Sequence, residues 1–341
     1  MEDLERVEII EVEYQRPKFW RRVVANLFDL ILTFFVFMTL FVSIKEIVNS
    51  TSSYKKMKST IDTLNLESGL YVKDSDRAIV TITNYITNDK GYTWQYKTHK
   101  WVVKVIDNFI GYVGTFDAEY SKVVQEDYDK ARLETKGNDS ASHPYFIKNE
   151  EGEIVINTSQ SGTQYYADKV IFEQFYEPYI KNTLSVYQIK YVPNYGAYTR
   201  TMNRLTILLE IPLSLFLSIL LTYYIVPLIL RRGRQTIGNK SLQIGFVDQH
   251  YLSPSLGRFT VKFLLFLLEI TFSIFSFGLP FLISITMMAT TKNKQGFPDY
   301  MTGLQAVDTN KQKIFFDKTE VLISKAKTNK SPIDFNLPNN V

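Results

Sequence analysis

Three long apolar runs constrain the fold of this chain more than any other feature of its sequence. They occupy residues 23–44, 205–230 and 261–290. Each is near or above the roughly 20 residues that an α-helix needs to cross about 30 Å of hydrocarbon. The sequence between the runs is polar, so we predict all-α integral membrane helices together with a substantial water-exposed portion.

Composition excludes several classes of protein. The chain has 341 residues and a formal net charge of +4, which is too small to indicate a nucleic-acid partner. Cysteine is absent, which excludes disulfides, thiol nucleophiles and cysteine-ligated zinc. The three histidines have no metal-ligand spacing and no catalytic triad is recognisable; they are His99, His143 and His250. We therefore expect no enzyme, and no catalytic residue, cofactor or metal.

The distribution of basic residues predicts the topology. The charged leader has no small-residue cleavage pattern, so we interpret the first run as an uncleaved anchor. Basic residues crowd the start of the first run and the end of the second, namely Arg16, Lys18, Arg21, Arg22, Arg231, Arg232, Arg234 and Lys240. By the positive-inside rule both ends are cytoplasmic, and residues 45–204 lie outside. We expect a multi-pass protein of a cell membrane, of bacterial origin.

The third run allows two topologies. It contains Gly278 and Pro280, and a proline inside a helix kinks or breaks it. One kinked span would put the C-terminal tail outside, whereas two half-helices broken at 278–280 would return it to the cytoplasm. Lys292 and Lys294 directly after the run favour the second arrangement without excluding the first.

These observations predict a succession of segments along the chain. They are a cytoplasmic N-terminus (1–22), transmembrane helix 1 (23–44), an extracytoplasmic insertion domain (45–204), transmembrane helix 2 (205–230), a cytoplasmic connector (231–260), a third membrane segment (261–290) and a C-terminal tail (291–341). The end of the tail loses apolar periodicity and is predicted to be disordered.

The segment 45–204 predicts a compact, mainly α domain with a small β-hairpin. Two β-prone runs flank Glu150-Glu151-Gly152-Glu153, which indicates the hairpin. Apolar residues between 165 and 192 recur at helical spacing and predict an amphipathic helix; they are Val170, Phe172, Phe175, Tyr176, Tyr179 and Ile180. The segment is large enough to hold a core of its own.

Each apolar run contains one carboxylate, and these are Asp29, Glu210 and Glu269. A charged side chain at the centre of a membrane helix costs about 2.5–3.5 kcal/mol, so each needs a partner, a proton or a watery path. Arg22 precedes Asp29 by seven residues and shares one face of the helix with it. One hypothesis is an ion or proton site that joins Asp29 and Glu269 to Arg22 or Arg258. The other, which is the more common role, is that these groups fix helix packing.

The stretch RRGRQTIGNKS (231–241) is similar to a phosphate-binding loop, because two glycines five positions apart are followed by a Lys-Ser pair. The motif requires lysine directly after the second glycine, but Asn239 separates Gly238 from Lys240. The stretch also follows an apolar run instead of a buried strand. We therefore interpret it as a cytoplasmic turn.

Three stretches carry a resemblance to RDD family membrane proteins. RPKFWRRVVANLFDLIL resembles the start of that family, in which an aspartate follows an arginine by seven residues, as Asp29 follows Arg22. RRGRQTIGNKSLQIGFVD resembles the family's loop after the second helix, through Thr236, Gly238 and Lys240. QGFPDYMTGLQAVD resembles its closing segment, which carries a second aspartate, here Asp299. If the tail is cytoplasmic, we expect that aspartate to pair with an arginine of the connector, the candidates being Arg231, Arg232 and Arg234.

The resemblance implies an architecture more than an activity. It covers residues 16–44 and 205–310, and the family's first two helices are usually joined by a much shorter loop than 45–204. The family's role is generally unassigned, with transport suspected and sodium–proton exchange proposed for some members. One hypothesis is therefore transport of an ion or small solute through a charge network formed by Arg22, Asp29, Asp299, Glu269 and Glu210. The other is a membrane-anchored binding or accessory protein.

The two hypotheses imply different partners. Both require a lipid bilayer. Three or four spans form a thin pathway, so transport favours a homo-oligomer. The accessory hypothesis instead requires an extracytoplasmic ligand or protein that binds the segment 45–204.

Overall fold

The computed structural model describes residues 15–88, 99–136, 144–157, 169–310 and 313–328. The predicted disorder at the end of the tail falls outside these residues. The chain forms two units: one joins the residues up to Ile44 with those from Glu210 onward, and the other is Lys45–Leu209. The described chain is mostly helical with three two-stranded antiparallel sheets, which confirms the predicted helical class with small strand pairs.

The first apolar run forms a single helix, α1 (Phe19–Ser50). Its buried side chains are spaced three or four residues apart and so form one narrow stripe; they are Arg22, Ala25, Asp29 and Thr33. Large apolar side chains cover the rest of its surface and are exposed, from Leu27 to Ile47. Such a helix is suited to contact with hydrocarbon on most of its circumference.

The Lys45–Leu209 unit is built from helices and two short hairpins. The helices are α2 (Ser52–Glu67), α3 (Ile82–Asn88), α4 (His99–Gly114) and α5 (Ala118–Glu134). The hairpins pair β1 (Tyr71–Lys73) with β2 (Ile79–Thr81), and β3 (Phe146–Lys148) with β4 (Ile154–Ile156). A helical stretch, 169–191, follows and ends in α6 (Ser185–Tyr191).

The predicted hairpin is β3–β4, but the expectation of a single hairpin in this segment was wrong. In the turn between β1 and β2, the Asp74 carboxylate accepts hydrogen bonds from the amides of Asp76 and Ala78. Arg77 adopts a left-handed conformation with φ 61°. An aspartate side chain that bonds to backbone amides in this way stabilises the turn without a glycine. The sequence therefore lacks the Asn-Gly or Asp-Gly pair that usually indicates a hairpin.

Aromatic side chains form the core of this unit. Phe175 stacks on Tyr179 with ring centroids 5.6 Å apart and meets Phe146 edge-on at 5.0 Å. The predicted amphipathic helix is present, but it contains the π-helical turns Phe172–Tyr176 and Tyr179–Leu184. A π-helical turn contains more residues than an α-helical turn, so the angle about the helix axis between successive side chains is smaller. Neighbouring aromatic side chains can therefore face the same core.

The second long helix is α7 (Tyr195–Ile229), which begins ten residues before the predicted span. In the described residues, α1 and α7 are the two helices long and apolar enough to cross a membrane. Tyr223 of α7 lies near Thr33 of α1, so the two long helices contact each other there. The remaining elements are α8 (Ile237–Ser241), β5 (Ile244–Val247), α9 (Leu256–Phe275), α10 (Leu279–Thr290), α11 (Phe297–Thr302), β6 (Gln305–Asp308) and α12 (Lys318–Thr328).

The third apolar run forms two helices, α9 and α10, joined by a turn at 276–278. Phe277 and Gly278 are both left-handed, with φ 52° and 84°. Pro280 lies in the first turn of α10, where its missing N–H costs no helical hydrogen bond. The Ser284 side chain of α10 lies near the Glu269 carboxylate of α9, and the two helices pack back along each other. The 12 residues of α10 span about 18 Å, less than the hydrocarbon thickness.

A short sheet joins the segment after α7 to the tail. β5 pairs antiparallel with β6, with Ile244 opposite Asp308 and Val247 opposite Gln305. All four residues of β5 are buried. Because backbone ladders require direct contact, the connector before α9 and the tail after α10 lie side by side.

Candidate functional site

The carboxylate of Asp29 is fully buried and bonded to the connector. It accepts a hydrogen bond of 2.5 Å from the Thr236 hydroxyl and one of 2.7 Å from the Gly238 amide. The same hydroxyl accepts a hydrogen bond from the Asn239 amide and so caps α8. The first amides of a helix have no hydrogen-bond partner within that helix. Asp29 provides such a partner for the start of α8.

Gly238 allows the connector to approach α1 closely. A Cβ atom at this position would lie 2.3 Å from the Ala25 carbonyl oxygen and 2.9 Å from the Asp29 carboxyl carbon. Real Cβ atoms do not come that close to backbone atoms, so a larger residue would force the two segments apart. Small residues at a helix contact serve this purpose in membrane proteins.

A second buried cluster joins α1, α9 and α11. Arg22 donates a hydrogen bond of 2.9 Å to one carboxylate oxygen of Asp299, and Lys262 approaches the other at 2.7 Å. Arg22 also donates to the carbonyl oxygen of Lys294. Burial alone would raise the pKa of Asp299, but the charges of Lys262 and Arg22 hold it below its usual value. The carboxylate is therefore ionised, with a hydrogen bond from Arg22 on one oxygen and the ammonium group of Lys262 beside the other.

The residues before and at the start of α1 extend this attachment to the connector and the tail. Arg21 donates to the carbonyl of Leu242 at 2.7 Å and forms an ion pair of 2.6 Å with Asp308. Arg16 donates to the carbonyl of Lys292 at 2.6 Å. The N-terminal segment is thus bonded to β6, to the residue Leu242 that precedes β5, and to the chain after α10.

The remaining predicted site residues lie apart from these two clusters. Glu269 is 5% exposed inside the α9–α10 pair and forms no ion pair within the described residues. Glu210 is 1% exposed and lies about 28 Å along α7 from Ile229, away from the connector. Lys240 is exposed on α8 and makes no side-chain bond in the described structure.

The structure corrects the predicted partners of these charges. Asp299 does not pair with any connector arginine, because the short sheet brings α11 to the start of α1 instead. Arg232 pairs with Glu320, and Arg258 pairs with Asp248 instead of a membrane carboxylate. The predicted network of Asp29 and Glu269 with an arginine therefore does not form.

Sequence reasoning missed Lys262 as a partner of Asp299. A signal for it was present, because Lys262 precedes Glu269 by seven residues, the spacing that also separates Arg22 from Asp29. Such spacing puts a basic and an acidic residue on one helix face. In the described residues no group of three or more His, Asp or Glu side chains could hold a metal ion.

Two long apolar helices and buried charge clusters suggest a membrane protein. Residues 178–303 match the model of the RDD family, so the chain contains an RDD family domain. The match includes the connector motif and Asp299, but it omits Arg22 and Asp29 and begins within the Lys45–Leu209 unit. No match to the chain was found among curated proteins or solved structures.

Proposed function

We propose that the protein is a membrane-anchored binding or accessory protein. In this proposal the residues up to Ile44 and from Glu210 onward form a rigid membrane scaffold, and the Lys45–Leu209 unit engages a ligand or a protein partner outside the cytoplasm. The protein catalyses no reaction itself. The observation that carries the proposal is that Asp29 and Asp299 are both bonded to groups of the protein.

The energetics of the two clusters support a scaffold. Removing one partner of a buried ion pair costs about 3–5 kcal/mol, because the other charge is left without compensation. An ion path through Asp299 would have to displace Arg22 or Lys262, and one through Asp29 would have to break the cap of α8. Groups held in this way are suited to fixing α1 against the connector and the tail.

The pairing of β5 with β6 supports one topology for the scaffold. Paired strands cannot lie on opposite sides of a bilayer, so the connector and the tail share a side. The basic residues at the end of α7 favour the cytoplasm. The α9–α10 pair then enters and leaves the bilayer from that side, which agrees with the short length of α10. With α1 and α7 as spans, the Lys45–Leu209 unit lies outside.

The Lys45–Leu209 unit has the properties of an independent binding domain. It possesses its own aromatic core, and a buried polar contact of 3.0 Å between Gln188 and Asn65 joins its last helices to its first. Buried polar pairs of this kind favour one arrangement of the elements that they join. The partner or ligand is therefore expected to contact a preformed surface.

Ion transport is a second candidate function, and Glu269 favours it. This carboxylate is buried between α9 and α10, near Ser284, and it has no ion pair in the described residues. Buried membrane carboxylates without a counter-ion are typical of proton and cation pathways. Sodium–proton exchange would then be the reaction to test.

Flux in proteoliposomes distinguishes the two functions. We expect the intact protein to give no sodium- or potassium-dependent proton flux above empty liposomes. The matched samples are Glu269→Gln and Asp29→Asn at equal incorporation. Flux that is present in the intact protein and lost in Glu269→Gln would replace the scaffold proposal by transport.

A deletion tests the scaffold directly. A chain in which a flexible linker replaces 52–194 should still insert into membranes, and Asp299→Asn should still lower its melting temperature. Failure of the shortened chain to insert, with the full chain inserting normally, would contradict a scaffold that stands without the Lys45–Leu209 unit.

A further inference from the structure

A cleft of about 400 Å³ lies where the connector meets the tail. Two arginines, two serines and two apolar residues line it, and these are Arg231, Arg234, Ser253, Ser255, Pro254 and Phe316. No carboxylate contributes to the lining. The volume falls within the range of small-molecule sites.

The local charge of the cleft is positive. Neither Arg231 nor Arg234 forms an ion pair within the described residues. The carboxylate of Glu320 is occupied by Arg232 at 3.0 Å and by Lys313 at 3.2 Å. Asp248 faces Arg258 at 3.4 Å, and the Asp317 carboxylate accepts a hydrogen bond of 2.8 Å from the Glu320 amide. The Arg234 Nε donates a long hydrogen bond of 3.5 Å to the Pro254 carbonyl, which leaves its two terminal nitrogens and the Arg231 guanidinium available to an anion.

The arginines are held in place by their neighbours. The hydroxyl of Ser253 donates to the carbonyl of Arg231 at 3.0 Å and accepts from the amide of Gly233 at 3.2 Å. The guanidinium of Arg234 lies 5.8 Å from the ring centre of Phe259. Burial, and then the nearby charge of Arg231, lower the pKa of Arg234, so the two cations lie close together.

The position of the cleft points to a lipid. Arg231 lies two residues beyond the end of α7, and Ser255 caps the start of α9. Within two residues of these lining residues, each helix end carries an exposed apolar side chain, Ile229 at 73% and Leu256 at 55%. A ligand that extends from the arginines along these residues would have a phosphate at one end and hydrocarbon at the other.

We propose that this cleft binds the phosphate group of an anionic phospholipid. Guanidinium groups bind phosphate oxygens through paired N–H donors. The Ser255 hydroxyl, which accepts from the Arg258 amide, still has its own proton to donate to the phosphate. Basic pockets on the cytoplasmic side of membrane helices are suited to anionic headgroups. A soluble phosphate compound shares the headgroup chemistry but would leave Ile229 and Leu256 uncovered. The inference rests on the membrane location in the proposed function.

Lipid retention by the intact protein tests the proposal. The full chain in a neutral detergent is titrated with dioleoylphosphatidylglycerol or dioleoylphosphatidylcholine, and bound lipid is counted by native mass spectrometry. We expect preferential retention of the glycerol lipid. The variant Arg231→Gln/Arg234→Gln should bind it about 30-fold more weakly, since each basic residue near an anionic lipid contributes a factor of about five. An equal concentration of inorganic phosphate should not displace the lipid.

The matched control is Lys292→Gln/Lys294→Gln, which removes the same charge from the segment after α10. We expect it to change affinity by no more than about twofold, because only the backbone carbonyls of these lysines bond to Arg16 and Arg22. An equal loss in both variants would mean diffuse attraction and would overturn the site. Displacement by inorganic phosphate, or equal retention of both lipids, would also overturn it.

Folding is followed separately, so that loss of the site and loss of the scaffold are distinguishable. The melting temperature and membrane insertion of each variant are measured alongside lipid binding. If the double variant does not fold, Arg231→Gln alone serves, because the side chain of Arg231 makes no hydrogen bond in the described structure, and a loss of about fivefold is expected. If a folded Arg231→Gln protein that inserts normally binds the glycerol lipid with unchanged affinity, the lipid site is excluded and the scaffold proposal is unaffected.

Discussion

Arg22 and Asp299 are 277 positions apart in the sequence and form a buried ion pair of 2.9 Å. The pair joins the start of the first apolar helix to the segment that follows the last one. Lys262 occupies the second oxygen of the same carboxylate. One aspartate of the tail therefore contacts both the start of α1 and the first helix of the α9–α10 pair.

Replacement of that aspartate should destabilise the scaffold strongly. Asp299→Asn leaves Arg22 and Lys262 buried without a counter-ion, at a cost of about 3–5 kcal/mol. We expect a markedly lower melting temperature of the purified protein in detergent. Asp76→Asn, on an exposed turn of the other unit, is the control and should melt like the wild type. Equal melting of Asp299→Asn and wild type would contradict the buried pair.

The stabilisation by Asp299 should depend on pH in a defined direction. Its pKa lies below the ordinary value of about 3.9, so the folded state favours the ionised form. The contribution is complete above the ordinary pKa and is lost as the pH falls through the lowered pKa of the folded state. The stability difference between wild type and Asp299→Asn should therefore stay constant from pH 7 to about pH 4.5 and shrink in more acidic buffer. A difference that grows on acidification would contradict this assignment.

Gly238→Ala should separate the connector from α1. The added methyl group would clash with the Ala25 carbonyl oxygen and with Asp29, and overpacking of this kind typically costs about 1–3 kcal/mol. Thermal unfolding measures the effect. Gly257→Ala is the matched control, since a Cβ there meets nothing within 4 Å, and it should be neutral or slightly stabilising. Equal stability of the two variants would exclude a close contact at Gly238.

Single cysteines can test the shared side of the connector and the tail, because the chain has no cysteine of its own. We expect His250→Cys and Asn310→Cys to react with a membrane-impermeant maleimide from one side of the membrane, and Asp76→Cys to react from the other. Labelling after permeabilisation controls for access. Reaction of Asn310→Cys and Asp76→Cys from the same side would instead favour one kinked span.

The turn of the helical hairpin should lie in hydrocarbon. Phe277 is fully exposed in the isolated chain, and an exposed phenylalanine at the tip of two apolar helices is suited to lipid. A polarity-sensitive fluorophore on Phe277→Cys should emit at shorter wavelength than one on Asn310→Cys, and lipid-attached spin labels should quench it. Quenching by a water-soluble reagent instead would place the turn in water.

The apolar runs were predictable because length and hydropathy are properties of a continuous stretch. The Thr236, Gly238 and Asp299 motif residues could be singled out from the sequence, but their partners could not. Asp29 and Thr236 are 207 positions apart, and nothing along the chain specifies that two such distant groups meet. From the sequence we expected Asp299 to pair with the arginines that follow α7. Its actual position is determined by the β5–β6 ladder, whose two strands have only four residues each and so give little signal in the sequence.

The pairing of Arg22 with Asp299 also affects the order in which the protein assembles during its synthesis. Arg22 leaves the ribosome 277 residues before its partner, which at 5–20 residues per second amounts to roughly 15–55 s. Throughout that interval α1 can be inserted, but its arginine must stay hydrated or in contact with headgroups. The membrane half of the protein is therefore completed only after Asp299 has been synthesised, and a chain truncated before Asp299 would contain an inserted α1 whose Arg22 lacks its ion-pair partner.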